Sequence, residues 1–299
     1  MRTAGRSRAV GGPQVLIRCL LILSSAVFLF PFLHTVAQSF SDPRFILSGS
    51  VFFLPRGPTL DAYRALLKDL SMLRSLAFTV ELTVLGVAVS LVLSTLAAFP
   101  LSKPGLKGRN LLLGAIVFTM YFSGGLIPTY ILVKRLGFLD SLWALILPGA
   151  VNTFNMVVMM TYFRGIPKEL EEAVEVEGAR PFLVLLRVVL PLSTATLATM
   201  VIFYGVGYWN TFFSGLLYIQ DPKKYTLQVR LYQTLDSVDT MINGQLLGAS
   251  DREVGSSAKL VAENLKSAMV VLTTAPIIVL YPFMQRYFVK GATVGALKG

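Results

Sequence analysis

Charge is scarce in this chain of 299 residues: 14% are Asp, Glu, Lys or Arg, against about a quarter in an ordinary soluble domain. Cysteine and histidine are scarcer still, with Cys19 and His34 the single copies of each. No disulfide forms within such a chain, and a Cys/His metal cluster is excluded. The glycine-rich phosphate loop G-x-x-x-x-G-K-[S/T] is also missing, so any use of ATP falls to another chain. An enzyme working inside a membrane would want His, Asp or Cys clustered on facing helices, and the sequence offers no such cluster.

What replaces charge is apolar length. Hydrophobic residues make up 54% of the chain and the mean hydropathy is +0.67. Six runs carry no Asp, Glu, Lys or Arg: Cys19–Ser41, Leu82–Ser102, Leu111–Val133, Ser141–Phe163, Val188–Gln220 and Ser267–Gln285. A hydrocarbon layer roughly 30 Å thick takes about 20 helical residues, because backbone groups there must pair within their own segment. The sequence therefore predicts an all-α, polytopic membrane protein forming one transmembrane domain over 1–299. Its six spans are expected at 16–38, 75–99, 110–133, 141–163, 187–211 and 267–288, and a loop at 164–186 separates the fourth from the fifth. The run Val188–Gln220 exceeds one straight span, so its two ends are placed at opposite membrane boundaries, with Tyr204, Tyr208 and Trp209 near the outer one as amphipathic anchors. The segments 42–70, interrupted by Pro43, Pro55, Gly57 and Pro58, and 221–265, with turn signals at Asn243-Gly244 and Gly255-Ser256-Ser257, are read as external and polar.

Orientation follows from the basic residues. Arg2, Arg6, Arg8 and Arg18 precede the first run and no acid occurs before Asp42, which predicts an uncleaved first helix with a cytoplasmic N-terminus. Alternation puts the loops near 100–110 and 163–187, and the C-terminus, on the same side. Total Lys and Arg barely separate the two sides; the tight, unopposed cluster Lys103, Lys107 and Arg109 decides. The net charge of +11 is thus an orientation signal. Scattered among loops, it makes no basic face for nucleic acid.

The loop 164–186 has a composition of its own. Glu169, Glu171, Glu172, Glu175 and Glu177 crowd its centre. Pro167 suits a first helical turn, acids near that end favour the helix dipole, Gly178 suits a helix end, and Pro181 restarts one. Residues 168–177 should form a short amphipathic helix with Leu170, Ala173 and Val174 on one face and Glu171 and Glu175 on another. Anionic lipid attracts basic segments, so five acids suit a groove in a cytoplasmic protein better than the membrane surface.

Glu172-Ala173-Val174, then Gly178, then Leu190-Pro191 resembles the cytoplasmic loop signature of binding-protein-dependent ABC importer permeases. Val174 stands where that family usually has alanine, and Glu177 where it usually has aspartate. The stretches 120–155 (MYFSGGLIPTYILVKRLGFLDSLWALILPGAVNTFN) and 281–299 (YPFMQRYFVKGATVGALKG) look like a narrower group handling sugars, oligosaccharides or complex glycans. The resemblance implies the type I importer permease fold, a bacterial cytoplasmic (inner) membrane location, and no catalytic role. It also implies partners: a second related permease, two cytoplasmic ABC ATPase subunits that bind ATP and Mg, and an extracellular or periplasmic solute-binding protein. No cofactor is implied for this chain. Residues 168–177 would be the coupling helix. Leu170, Glu171, Glu172, Ala173, Glu175, Gly178, Ala179 and Pro191 would be its coupling positions.

Asn152 and Asn155, three apart in the fourth span, are expected either to share a face lining the pore or the permease–permease seam, or to bond locally to the preceding turn. Tyr204, Tyr208, Trp209 and Asn210 offer stacking faces and an amide suited to sugar rings, although an aromatic membrane belt uses the same residues. The alternative function is a secondary transporter or ion-coupled carrier, which needs intramembrane ionisable groups. Glu81 is the one acid well inside a span.

Overall fold

The computed structural model describes residues 12–248 and 263–282, and every regular element among them is helical. Three helices, Gln14–Ser39, Leu70–Ser102 and Glu263–Pro282, are long and apolar enough to cross a membrane unbroken. The other expected spans are bent pairs. Arg109–Tyr121 and Leu126–Arg135 meet at 110°, Leu142–Gly149 and Thr153–Arg164 at 54°, and Pro181–Leu192 and Thr194–Trp209 at 84°. Counting each pair once gives up to six spans. Local chemistry explains the breaks. Gly125, at the first, holds φ +87°, which glycine adopts without penalty. Pro148 lies in a 3-10 turn ahead of the second. Pro191 precedes the third and has no N–H for the Arg187 carbonyl. The chain there widens into a π-helical turn over Leu185–Val189, with Leu190 N–H bonded to Leu185 O.

Packing divides the chain into two compact units. The first takes in residues up to Lys68 together with 234–273. Residues 14–31 of its leading helix are exposed throughout among the described residues. The helix end is held instead by a buried amide. Asn264 Nδ2 donates to Gln38 O (3.1 Å) and Ser41 O (2.9 Å), satisfying carbonyls that a helix terminus leaves open. The segment 42–70 contains the short helices Pro43–Leu47 and Asp61–Lys68, so its prolines do not abolish regular structure. Pro43 sits in a first turn, where proline is tolerated. Asn243-Gly244, read as a turn, lies inside the helix Leu227–Gly248. Gly255-Ser256-Ser257 and most of the block 281–299 lie outside the described residues.

The second unit, 69–233 with 274 onward, is organised by the helix Leu70–Ser102. Asp69 caps its start by accepting the Ser71 N–H at 2.8 Å. One stripe of this helix is small or hydroxylated and buried: Ser75, Thr79, Gly86, Ser90 and Ser94. Into it pack Thr153–Arg164 and Thr194–Trp209. Tyr208 lies against Gly86 so closely that a Cβ added at 86 would stand 2.7 Å from the ring. A second anchor is Asp140, a non-glycine residue at φ +56°. Its carboxylate accepts the N–H of Asp221 (2.9 Å) and Gln220 (2.5 Å), and its carbonyl accepts Lys224 Nζ at 2.7 Å.

Two outcomes follow from this geometry. Gly86→Ala should lower stability by about 1–3 kcal/mol, the usual cost of overpacking, read as a lower melting temperature in detergent. Gly205→Ala, whose Cβ meets only Val87 at an ordinary 3.8 Å, should leave it near wild type. The backbone N–H groups of Asp221 and Gln220, with Lys224 adding a smaller effect, hold the Asp140 carboxyl below the usual carboxylate range. Its contribution is therefore fully present above the ordinary unfolded value of about 3.9. It is lost as pH falls through the lower folded value. Asp140→Asn keeps an acceptor and tolerates positive φ, so melting of that variant between pH 5 and 3 should depend less on pH than in the wild type.

Candidate functional site

The loop between the fourth and fifth bent spans folds into a helix over Lys168–Val176. Ile166, buried, fixes its entry. Pro167 is the N-cap residue, and Glu169 and Glu171 occupy the first turn near the positive end of the dipole. The exit is a Schellman turn. Gly178, at φ +88°, donates to Glu175 O (2.8 Å), and Ala179 N–H reaches Val174 O at 3.2 Å. Pro181 then opens the next helix as its first residue.

At about 100° per residue, Leu170, Ala173 and Val176 gather on the side opposite Glu171. All three are exposed, Val176 at 89%. Glu172 and Glu175 are also exposed. Glu171, expected on a different face from Leu170 and Ala173, is buried and forms an ion pair with Lys103, at the end of the long helix. The physical reason is a carboxylate on the inward face, which is stable out of water only beside a cation. Between the two elements lies a cavity of about 450 Å³ lined by Lys103, Arg109, Arg164, Lys168, Glu171, Glu172 and Glu175 among others. Pro191 is exposed two residues before Ser193, which sits buried at the 84° elbow with its hydroxyl unpaired among the described residues.

The residues read as a substrate path divide. Asn152 and Asn155 do not share one face of a continuous helix, because the span breaks between Gly149 and Thr153. Asn152 is an N-cap whose Oδ1 accepts the Asn155 N–H at 3.1 Å, a local bond. Asn155 is buried and Asn152 exposed. Tyr204 and Tyr208 are neither open stacking faces nor belt anchors, since both rings are buried within the unit. Tyr204 OH shares a hydrogen bond with Ser94 Oγ (2.6 Å) and accepts the Asn152 N–H (3.2 Å). Tyr208 OH pairs with Ser90 Oγ (2.8 Å) and reaches Ile146 O at 3.5 Å. The two hydroxyls thus bond backbone groups around the broken fourth span. Sequence reasoning missed Gly86, Ser90 and Ser94, although their spacing of four residues was the available signal. Trp209 is mostly buried and Asn210 exposed, with its Oδ1 accepting Gln228 Nε2 at 3.2 Å.

Trp209 borders an apolar groove of about 730 Å³ between the helices Leu70–Ser102, Thr194–Trp209 and Glu263–Pro282. Its one lining hydroxyl, Thr83, already donates to Thr79 O (2.7 Å). A glycan placed there would bury hydroxyls without partners, at a cost of roughly 1–3 kcal/mol each, so the groove is not a sugar site. Tyr204→Phe should destabilise the protein by about 1–3 kcal/mol through the stranded Ser94 and Asn152 groups. Adding Ser94→Ala should recover part of that loss. Equilibrium unfolding of the single and double variants in detergent measures both.

Residues 73–294 match the family of binding-protein-dependent transport system inner membrane components. The chain is 42% identical over 275 residues to the protein LplC of Bacillus subtilis (92% of this chain, 90% of the relative). It is 40% identical over 286 residues to that organism's polygalacturonan/rhamnogalacturonan transport system permease protein YtcP (96% and 98%). Among solved structures, a chain of a bacterial ABC transporter involved in import of the acidic polysaccharide alginate superposes with a TM-score of 0.83 at 30% identity, covering 96% of this chain and all of that one. Nothing in these likenesses supports an ion-coupled carrier, and Glu81 stands exposed on the long helix. An all-helical bundle with up to six spans, a short helix projecting from the loop between two of them, and these matches agree: the chain belongs to the binding-protein-dependent transport system inner membrane components, as a non-catalytic permease subunit of an ABC importer.

Proposed function

We propose that this permease imports oligosaccharides or polysaccharide fragments and takes its energy through the helix Lys168–Val176. The observation that carries the coupling role is the exposed Leu170–Ala173–Val176 face, bordered by the exposed Glu172. A solvated loop gains nothing from a valine left 89% exposed; a groove in a partner covers it. Two ABC ATPase subunits bind ATP and Mg and receive this helix in the cytoplasm, which sets both chain termini on that side. Movement passes through the turn at Gly178 and the helix opened by Pro181 to the elbow beyond Pro191. Ala179 sits within the turn, and Glu172 supplies polar contact to the ATPase.

The glycan reading draws on the relatives. One carries polygalacturonan and rhamnogalacturonan in its name, and the structural neighbour imports alginate. Since the apolar groove does not suit sugar, the path is shared with a second, related permease, to which a solute-binding protein delivers substrate. Asn152 and Asn210, both exposed polar residues near the membrane-buried bundle, are the members of the expected path open to such a shared surface.

Gly178→Val forces a β-branched residue to positive φ, at a cost of about 1 kcal/mol or more, and misaims the helix. Glu172→Lys reverses a charge at the docking face, where losing a buried charged partner costs about 2–5 kcal/mol of binding. Both variants should insert and hold the partner permease, yet retain the ATPases weakly on an affinity column. Their ATPase activity should no longer rise with loaded binding protein. Retention and stimulation at wild-type levels in both would refute the coupling role.

A further inference from the structure

The helix Lys168–Val176 has two working faces, and its inward one points to a second route for motion. Glu171, buried, forms an ion pair with Lys103, the residue that ends the helix Leu70–Ser102. Lys103 is itself fixed from two directions. Its N–H bonds Pro100 O at 3.1 Å, and its ammonium lies 4.6 Å from the centre of the Phe99 ring. The neighbouring loop is pinned too, since Arg109 Nε donates to Leu101 O at 2.7 Å. The two side chains of the pair retain 32% and 12% exposure. That degree of shielding makes the contact stronger and less screened than a surface pair. Another ion pair, Arg64–Asp61, lies three residues apart in an exposed helix. The Lys103–Glu171 pair joins elements 68 residues apart.

We propose that the Lys103–Glu171 ion pair clasps the coupling helix to the end of the long helix, so that the two move as one body when the ATPases close. This rests on the coupling reading above and adds to it. In that reading motion runs forward along the chain, through Gly178 and the elbow. The clasp sends it backward as well, into the helix that carries the Gly86, Ser90 and Ser94 stripe. Lys103 is then a positioning residue. It touches no nucleotide and no substrate, and it acts by holding Glu171.

A distance measurement tests the clasp without knowledge of the substrate. In the complete transporter, with Cys19 replaced by serine, spin labels are placed at Lys107 and Glu177, both exposed. Their separation is measured without nucleotide and with ATP plus vanadate. In the otherwise wild-type complex the distance should stay the same in both states. K103M should make it state-dependent, with a distribution several times broader, and the charge swap K103E/E171K should restore the narrow one. Should K103M fail to assemble, E171Q gives the same comparison. A wild-type distance that changes with nucleotide, a single variant as narrow as wild type, or a swap no narrower than the single variants would overturn the proposal. Failure of the underlying coupling role shows separately, as wild-type ATPase retention by G178V.

Discussion

Tyr208 rests against the bare Cα of Gly86, and the other interhelical contacts of the second unit are arranged around that close approach. It brings Thr194–Trp209 near enough to Leu70–Ser102 for the Tyr208 and Tyr204 hydroxyls to meet Ser90 and Ser94 four and eight residues farther on. Those hydroxyls in turn reach Ile146 O and the Asn152 N–H, where the fourth span changes direction. Within an apolar layer helices gain little from hydrophobic burial against each other, so small residues and shared hydrogen bonds carry the association. A glycine, two serines and two tyrosines therefore hold three segments in register, and one of those segments is broken.

The same long helix also reaches the short helix between the fourth and fifth spans. Its last residues lead directly to Lys103, which grips the inward side of Lys168–Val176. The short helix is stabilised by local means: acids in its first turn and a glycine-closed exit. Its outward side is left with apolar surface that no described residue covers. One element thus presents an intrachain ionic face and an uncovered apolar face, the arrangement expected of a lever between two bodies.

Much of this was legible in the residues. Runs free of charge marked six apolar stretches long enough to span, because the hydrocarbon layer imposes a length on them. The acidic stretch followed by Gly178 and Pro181 marked a short helix and its end. Straightness was not legible from such runs, which say nothing about direction. The bends at Gly125, Pro148 and Pro191 were nonetheless written there as helix breakers. Side-chain facing was the harder problem. Tyr204 and Tyr208 share a helix face by spacing alone, but spacing does not say whether that face meets a pore, lipid or another helix. Gly86, Ser90 and Ser94, on a different helix, decide it. Glu171 likewise turns inward because of a lysine 68 positions earlier, a pairing that no local pattern contains.

The sharp turn between Tyr121 and Leu126 has a biological consequence. Its flanking residues are exposed, and the backbone there belongs to no helix. Irregular backbone survives at membrane depth only where protein or trapped water covers it, since each unpaired group facing hydrocarbon costs several kcal/mol. A lone copy of this subunit in a bilayer would carry that defect. Within an assembled importer the turn would belong against another chain or trapped water rather than lipid.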